Sequence, residues 1–319
     1  MANPATARLP LESFDPSITA ELRTLHKRNS HWNWVCLLYP SLWLVSALLM
    51  AEYPYWWVRV AGIVVIGVSI QAMAILMHEA LHGNLFRNQI LDRWTAFAFG
   101  IPAFFSGTAY RVAHLNHHRN TRTAKDQDEI SYLVDTPAQY RLLFYAWFVI
   151  GTLFYFLIVP WKALRIASPV LRRRILSEYA AMFAIYAFVI GLALSSDRGG
   201  GLFLYWLIPA QLAMVLSNIR GLAEHLGTGF GNALTRTRTT TSNALVSFVM
   251  CNLNYHVEHH LFPGVPWYNL KKVHRLLAPL YARSGVHIER SYLVGVLRAL
   301  RFGPFDEFHG GPVSLKGSR

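Results

Sequence analysis

Cysteine is almost absent. Only Cys36 and Cys251 occur in 319 residues, both in apolar surroundings, so neither a disulfide framework nor a cysteine-based zinc site can be built. Charge is scarce too: 15% of residues are Asp, Glu, Lys or Arg against 53% hydrophobic, which is too apolar for an ordinary soluble domain. Acidic residues are the scarcest, 17 against 30 Lys and Arg, for a net charge of +13. Such a balance by itself points to nucleic acid or to an anionic membrane. In a membrane chain the location of the charges carries more information than their sum. The first 30 residues contain no apolar stretch, so no cleavable signal peptide is expected. An H-P-G-G haem motif, a flavin fingerprint, internal repeats and low-complexity linkers are all missing.

What the chain does have is long apolar runs. Residues 1–32 are polar and end in Leu25-His26-Lys27-Arg28. The runs Trp34 to Met50 and Tyr55 to Met77 follow, separated by Ala51-Glu52-Tyr53-Pro54, a short turn with a helix breaker. The second run is about 23 residues long, enough to cross a hydrocarbon core of roughly 30 Å. It continues without a breaker into His78-Glu79-Ala80-Leu81-His82, which places that motif on a helix leaving the bilayer. Trp94 to Phe105 is short and interrupted by Pro102, and reads as interfacial or re-entrant. Beyond the polar stretch Arg111 to Tyr140 come Leu142 to Val159, Tyr179 to Leu194 and Leu202 to Ile219, then a mixed region with an apolar patch at Ala244 to Met250.

If all three later runs crossed, the histidines before and after them would lie on opposite faces. Lys162, Arg165 and Arg172-Arg173-Arg174 follow the first of the three and mark that loop as cytoplasmic. Leu142 to Val159 is therefore expected to start and end inside. All Lys and Arg except Arg59 and Arg198 then face the cytoplasm. The expectation is an all-α integral membrane protein, one domain over 1–319. Its transmembrane helices lie near 34–50, 55–77, 179–194 and 202–219, and its interfacial helices near 94–105 and 142–159. A histidine-rich catalytic region and both termini are cytoplasmic, and a bacterial inner membrane fits the compact form.

Nine of the 14 histidines form a pattern. His78 and His82 are four apart. His114, His117 and His118 form H-x-x-H-H, as do His256, His259 and His260, and His225 stands alone before the last cluster. Positions i, i+3 and i+4 share a helix face, so each cluster can aim its rings at one point. Adjacent histidines diverge by about 100° on a helix, so the second of a pair can reach a second ion. Nine nitrogen donors are too many for one metal and suit two. Imidazole accepts Zn, Cu, Fe or Ni, but zinc prefers four ligands, and iron has the redox chemistry to justify so many. His26, His31, His274, His287 and His309 lack such company and read as ordinary polar residues.

Two rivals differ in class. His78-Glu79-Ala80-Leu81-His82 also reads as the H-E-x-x-H of zinc proteases, which needs one further ligand and leaves the other clusters unused. A metal transporter or sensor would need ionisable groups within the spans, and the apolar runs hold almost none.

Asn254-Tyr255-His256-Val257-Glu258-His259-His260-Leu261-Phe262-Pro263-Gly264-Val265-Pro266 closely resembles the last histidine box of membrane fatty acid desaturases. The three box spacings and the isolated His225 in Ala223-Glu224-His225 match that family over roughly residues 30–280. The resemblance implies nine iron ligands, His78, His82, His114, His117, His118, His225, His256, His259 and His260, and acidic residues at Asp126 and Asp128. Where some members carry an asparagine four residues before the lone histidine, this chain has Gly221; Asn218 or Asn254 are the substitutes at hand. Histidine at 256 in place of glutamine argues against the front-end subgroup.

The implied activity is O2-dependent oxidation of a lipid C–H bond by two irons. Desaturation of a fatty acyl chain comes first, and hydroxylation or ketolation of a lipid or carotenoid is the alternative. Ligating imidazoles need their second nitrogen held, and Glu79, Glu224, Glu258, Asp126, Asp128 and Asn254 are the residues expected to do so. The substrate is expected to enter from the bilayer along a tunnel for which Gly62 to Ala74 and Ala96 to Phe105 are the candidate walls. The electrons are expected from a separate ferredoxin, rubredoxin or cytochrome. No nucleic-acid partner is expected.

Overall fold

The computed structural model describes residues 14–123, 125–126, 128–129, 133–225, 228–229 and 233–305. Both chain ends, expected in the cytoplasm, and His309 lie outside them. In chain order the helices are α1 (Pro16–Leu25), α2 (Val35–Glu52), α3 (Trp56–Leu81), α4 (Gln89–Gly100), α5 (Gly107–Asn120), α6 (Pro137–Ile166) and α7 (Pro169–Ser195). After them come α8 (Gly199–Leu202), a π turn (Phe203–Leu207), α9 (Ile208–His225), α10 (Ala244–Val249), α11 (His256–Leu261), α12 (Trp267–Ser284) and α13 (Tyr292–Phe302). The strands β1 (Thr239–Thr240) and β2 (Ile288–Glu289) pair in parallel, Thr239 with Ile288 and Thr240 with Glu289.

The chain forms two compact units. The span unit comprises Asn29–Ala113 and Leu153–Ser217; the histidine unit comprises Met1–Arg28, His114–Thr152 and Asn218–Arg319.

Among the described residues four helical stretches are long and apolar enough to cross a membrane: Pro16–Glu52, Trp56–Leu81, Pro169–Ser195 and Gly199–His225. Bilayer-facing side chains explain why Leu37, Leu44, Leu48, Phe183, Phe188 and Leu192 are exposed: an apolar surface of that extent is unfavourable in water and neutral against lipid. With 26 residues, α3 is about 39 Å long at 1.5 Å per residue, so its last turns extend past a hydrocarbon core of roughly 30 Å. Helix α6 bends sharply near residue 152 and is a broken span or re-entrant element, not a straight crossing. The π turn in the last stretch displaces backbone carbonyls from their usual partners, and Trp43 Nε1–H donates to the Tyr205 carbonyl at 2.8 Å.

In the span unit, α5, α6 and α7 meet through Ala109, Ala113, Val159, Ala163, Ala167 and Ile175, all buried. Small residues there let the backbones approach closely. The turn from α4 into α5 is tight: Phe105 N–H donates to the Gly100 carbonyl at 2.9 Å, and a Cβ on Gly100 would collide with the Phe105 carbonyl. Phe104 takes a φ of 63° and stacks on Trp206, ring centroids 5.2 Å apart. The turn's carbonyls are paired by side chains from elsewhere, Ile101 by Tyr186 Oη–H at 2.8 Å and Pro102 by Trp206 Nε1–H at 3.3 Å. Backbone groups at a buried turn need such partners, because water does not reach them.

In the histidine unit, α1 is a helix where composition shows only a polar segment. Asp15 caps it, accepting from Ser17 N–H at 2.9 Å, and Pro16 opens its first turn. Its Leu22 and Leu25 are buried, and the Asn269 amide of α12 donates to the Leu25 carbonyl at 2.8 Å. Helix α12 buries Trp267, Leu270, Val273 and Leu277 on one face and ends at Gly285, whose φ of 65° is the left-handed conformation that stops a helix.

Candidate metal centre

Each histidine cluster sits where the spacing predicts, on a helix. In the span unit His78 occupies the last turn of α3 and His82 is its C-cap, with ring centroids 4.8 Å apart. Glu79, fully buried, accepts from the Asn84 side chain at 3.3 Å and has Oε1 at 3.5 Å from His78 Nδ1. Arg111 of α5 donates its Nε–H to the Leu81 carbonyl at 3.2 Å, which ties the end of α3 to α5 one turn before His114.

The histidine unit gathers the other seven. His118 Nε2 lies 2.8 Å from His114 Nε2 and 3.1 Å from His259 Nε2. His256 Nε2 lies 2.9 Å from His225 Nε2 and 3.1 Å from His260 Nε2. His117, His225 and His260 each offer an atom within 4.8 Å of the others. The sequence separations are up to 141 residues, so this convergence is a tertiary property. Adjacent histidines divide as helix geometry requires: His118 meets His114, while His117 turns toward His225, centroids 4.8 Å apart.

An imidazole nitrogen has one in-plane site, filled by a proton or a lone pair. Nε2 of His118 faces two other ring nitrogens, and so does Nε2 of His256. A hydrogen bond can satisfy one of each pair of contacts; a cation between converging lone pairs satisfies all of them. Two ligands at right angles with metal–nitrogen distances of about 2.1 Å are themselves about 3 Å apart. The donor set therefore fits two metal ions.

Two of the second ring nitrogens lie beside carboxylates. His117 Nδ1 is 2.8 Å from Asp126 and 3.2 Å from Asp128; Asp126 is fixed in turn by the backbone N–H groups of Arg122 and Asp128, each at 3.0 Å. Burial opposes a charge on His117, but the two carboxylates outweigh it and raise the imidazole to about 9. His256 Nδ1 is 3.3 Å from Glu224, which Arg220 also contacts at 3.3 Å. Burial, followed by the neighbouring His260 and His225, holds His256 well below the usual imidazole range.

Glu258 and Asn254 behave differently from the expectation. Glu258, fully buried in the third box, faces away from the converging rings. It accepts from Thr239 Oγ1–H at 2.6 Å and contacts His274 Nδ1 at 2.6 Å. The Asn254 amide donates to the Thr240 carbonyl at 2.8 Å, and Asn218 donates to the Phe148 carbonyl at 3.3 Å; these bonds carry the chain around the centre. His274 was indistinguishable in sequence from the other solitary histidines, since its partner Glu258 comes from another helix. Arg122 pairs with Glu129 and donates to the Thr228 carbonyl at 2.9 Å, closing the loop that carries the two aspartates.

The fatty acid desaturase family model matches residues 54–292. The chain is 24% identical over 276 residues to a sphingolipid delta(4)-desaturase of Xenopus tropicalis, covering 82% of this chain and 78% of that protein. It is 27% identical over 249 residues to the dihydrorhizobitoxine desaturase of Bradyrhizobium elkanii, with 72% and 70% covered. To an acyl-lipid (8-3)-desaturase of Rebecca salina it is 25% identical over 267 residues, with 76% and 62% covered.

Proposed function

Because this chain belongs to the fatty acid desaturase family, membrane-spanning oxidoreductases of lipid with a histidine-rich di-metal site, we propose that it desaturates a fatty acyl chain using two iron ions and O2. One O2, two electrons and two protons enter, and a double bond and two waters leave. His114, His118 and His259 would hold one ion, and His117, His225, His256 and His260 the other; His78 and His82 are the further ligands that membership of the family implies. The observation that carries this reading is the pair of Nε2 triplets, His114–His118–His259 and His225–His256–His260, with contacts of 2.8 to 3.1 Å. Nine imidazoles are more than two zinc ions take at four each; iron supplies the one-electron chemistry toward O2 that zinc lacks.

The protein's own groups orient and insulate. Asp126 accepts from the Nδ1–H of His117, with Asp128 beside it, and so orients the ring with Nε2 aimed inward; Glu224 lies against Nδ1 of His256 and favours the same orientation there. The apolar walls Gly62 to Ala74 and Ala96 to Phe105 admit the acyl chain from the bilayer and keep water from it. The reacting methylene has to be placed within roughly 3–3.5 Å, and that placement sets alkene against alcohol. Electrons come from a separate ferredoxin, rubredoxin or cytochrome, steered by the basic face. The site opens to the cytoplasm of a bacterial inner membrane.

Two measurements test this. Metal analysis of the purified protein is expected to find two irons per chain; one zinc, with peptide cleavage lost on Glu79→Gln, would replace the reading. Lipid mass spectrometry of cells with and without the gene is expected to show a product two hydrogens lighter than substrate, whereas a product one oxygen heavier would make the enzyme a hydroxylase.

A further inference from the structure

A carboxylate in a helix that reads as a membrane span is costly and calls for a purpose. Glu178, near the start of α7, is one, and it is buried at 9% exposure. Its partners lie on the first turn of α5. It accepts from Ser106 Oγ–H at 2.7 Å, from the Thr108 backbone N–H at 2.9 Å and from the Thr108 hydroxyl. Arg174, one turn earlier on α7, donates its Nε–H at 3.1 Å from the half-exposed side. Ser106 completes the arrangement: while donating to Glu178, its oxygen accepts from the Ala109 N–H at 3.0 Å.

The first N–H groups of a helix have no partner within it. In α5 two of them are satisfied, one through Ser106 and one by a carboxylate 70 residues away. The negative charge also lies at the positive end of the helix dipole. Around this point α5 packs through Ala109 and Ala113 against Val159, Ala163, Ala167 and Ile175. Apolar contacts of this kind are non-directional, so the carboxylate with its directed hydrogen bonds is what defines the register. Helix α5 runs unbroken to Asn120 and carries His114, His117 and His118. A slip of one residue would swing each of these rings by about 100°.

We propose that Glu178 is a positioning residue: by docking the first turn of α5 onto α7, it sets the rotation and depth of the second histidine box and so aims three imidazoles at the metals. This rests on the di-metal reading of the centre.

The test uses full-length purified protein, compared per folded chain by size-exclusion chromatography. Loaded with cobalt(II), Glu178→Ala is expected to hold less metal than the wild type and to show altered ligand-field absorption. Loaded with iron, its turnover falls on the order of 10²-fold, carried by kcat with KM little changed. Glu178→Gln is isosteric and still accepts through its amide oxygen, so it recovers most of the wild-type spectrum. Arg174→Ala removes only the outer partner and leaves the spectrum unchanged. Wild-type metal content, spectrum and kcat in Glu178→Ala overturn the proposal. So do equal losses in Arg174→Ala, which would trace the effect to charge on α7 and not to its grip on α5. A wild-type protein that takes up fewer than two cobalt ions strikes the di-metal reading itself.

Discussion

Two copies of the same motif, H-x-x-H-H, are supported in opposite ways. On α5 the motif sits at the end of a 14-residue helix, and its middle histidine leans on Asp126 and Asp128 from the following loop. On α11 it fills a helix of six residues, too short to hold its own direction, since isolated helices of that length are unstable. There the stabilising carboxylate is inside the motif. Glu258 points away from the imidazoles to His274 of α12 and Thr239 of β1, and the Thr239 hydroxyl oxygen accepts from the Val257 N–H at 3.2 Å. A long helix can be aimed from its far end and needs help only with its proton positions. A short one has to be bolted at its centre.

This contrast can be broken at several points. The largest effect is expected from a ligand: His260→Ala should abolish activity and lower iron content, with His114→Ala equally severe if both boxes serve metals; full activity in either variant would remove that box from the centre. Glu258→Ala comes next. Removing one partner of a buried pair costs about 3–5 kcal/mol, so thermal unfolding should shift strongly downward, and a melting curve like the wild type's would show that α11 needs no bolt.

Asp126→Asn keeps an acceptor but removes the negative charge beside His117. A fall in metal affinity of about 10–100-fold is expected, with little change in melting temperature. Asp128→Asn, at the longer and more exposed contact, should do less. If Asp126→Asn unfolds the protein as readily as Glu258→Ala, the two boxes are supported alike after all. The smallest effect belongs to Thr239→Val, which deletes one bridging hydroxyl and should cost about 1 kcal/mol, read by denaturant titration.

Local patterns made much of this legible. The apolar runs announce spans, although the helices outrun them: α7 starts at Pro169, before the run at Tyr179, and that extra length is where Glu178 sits. Helix α1 carried a readable signal, Asp15 before Pro16, but its short apolar face gives no hint that Leu22 and Leu25 are buried. The histidine spacings declared which rings share a face. They did not declare which carboxylate meets which ring: Glu79, Glu224 and Glu258 occupy similar places beside histidines, yet Glu224 meets His256, Glu79 meets Asn84, and Glu258 turns to His274.

By itself, the order of amino acids determined the helical spans, the face on which each cluster projects, and the supply of nitrogen donors, because those follow from residue hydrophobicity and the 3.6-residue period within a few turns of chain. Tertiary structure alone decided that rings separated by up to 141 residues close to about 3 Å, that Glu178 docks α5 and that Glu258 anchors α11. A buried carboxylate takes whichever donors the fold brings within hydrogen-bonding distance, and those donors come from segments that no local pattern connects.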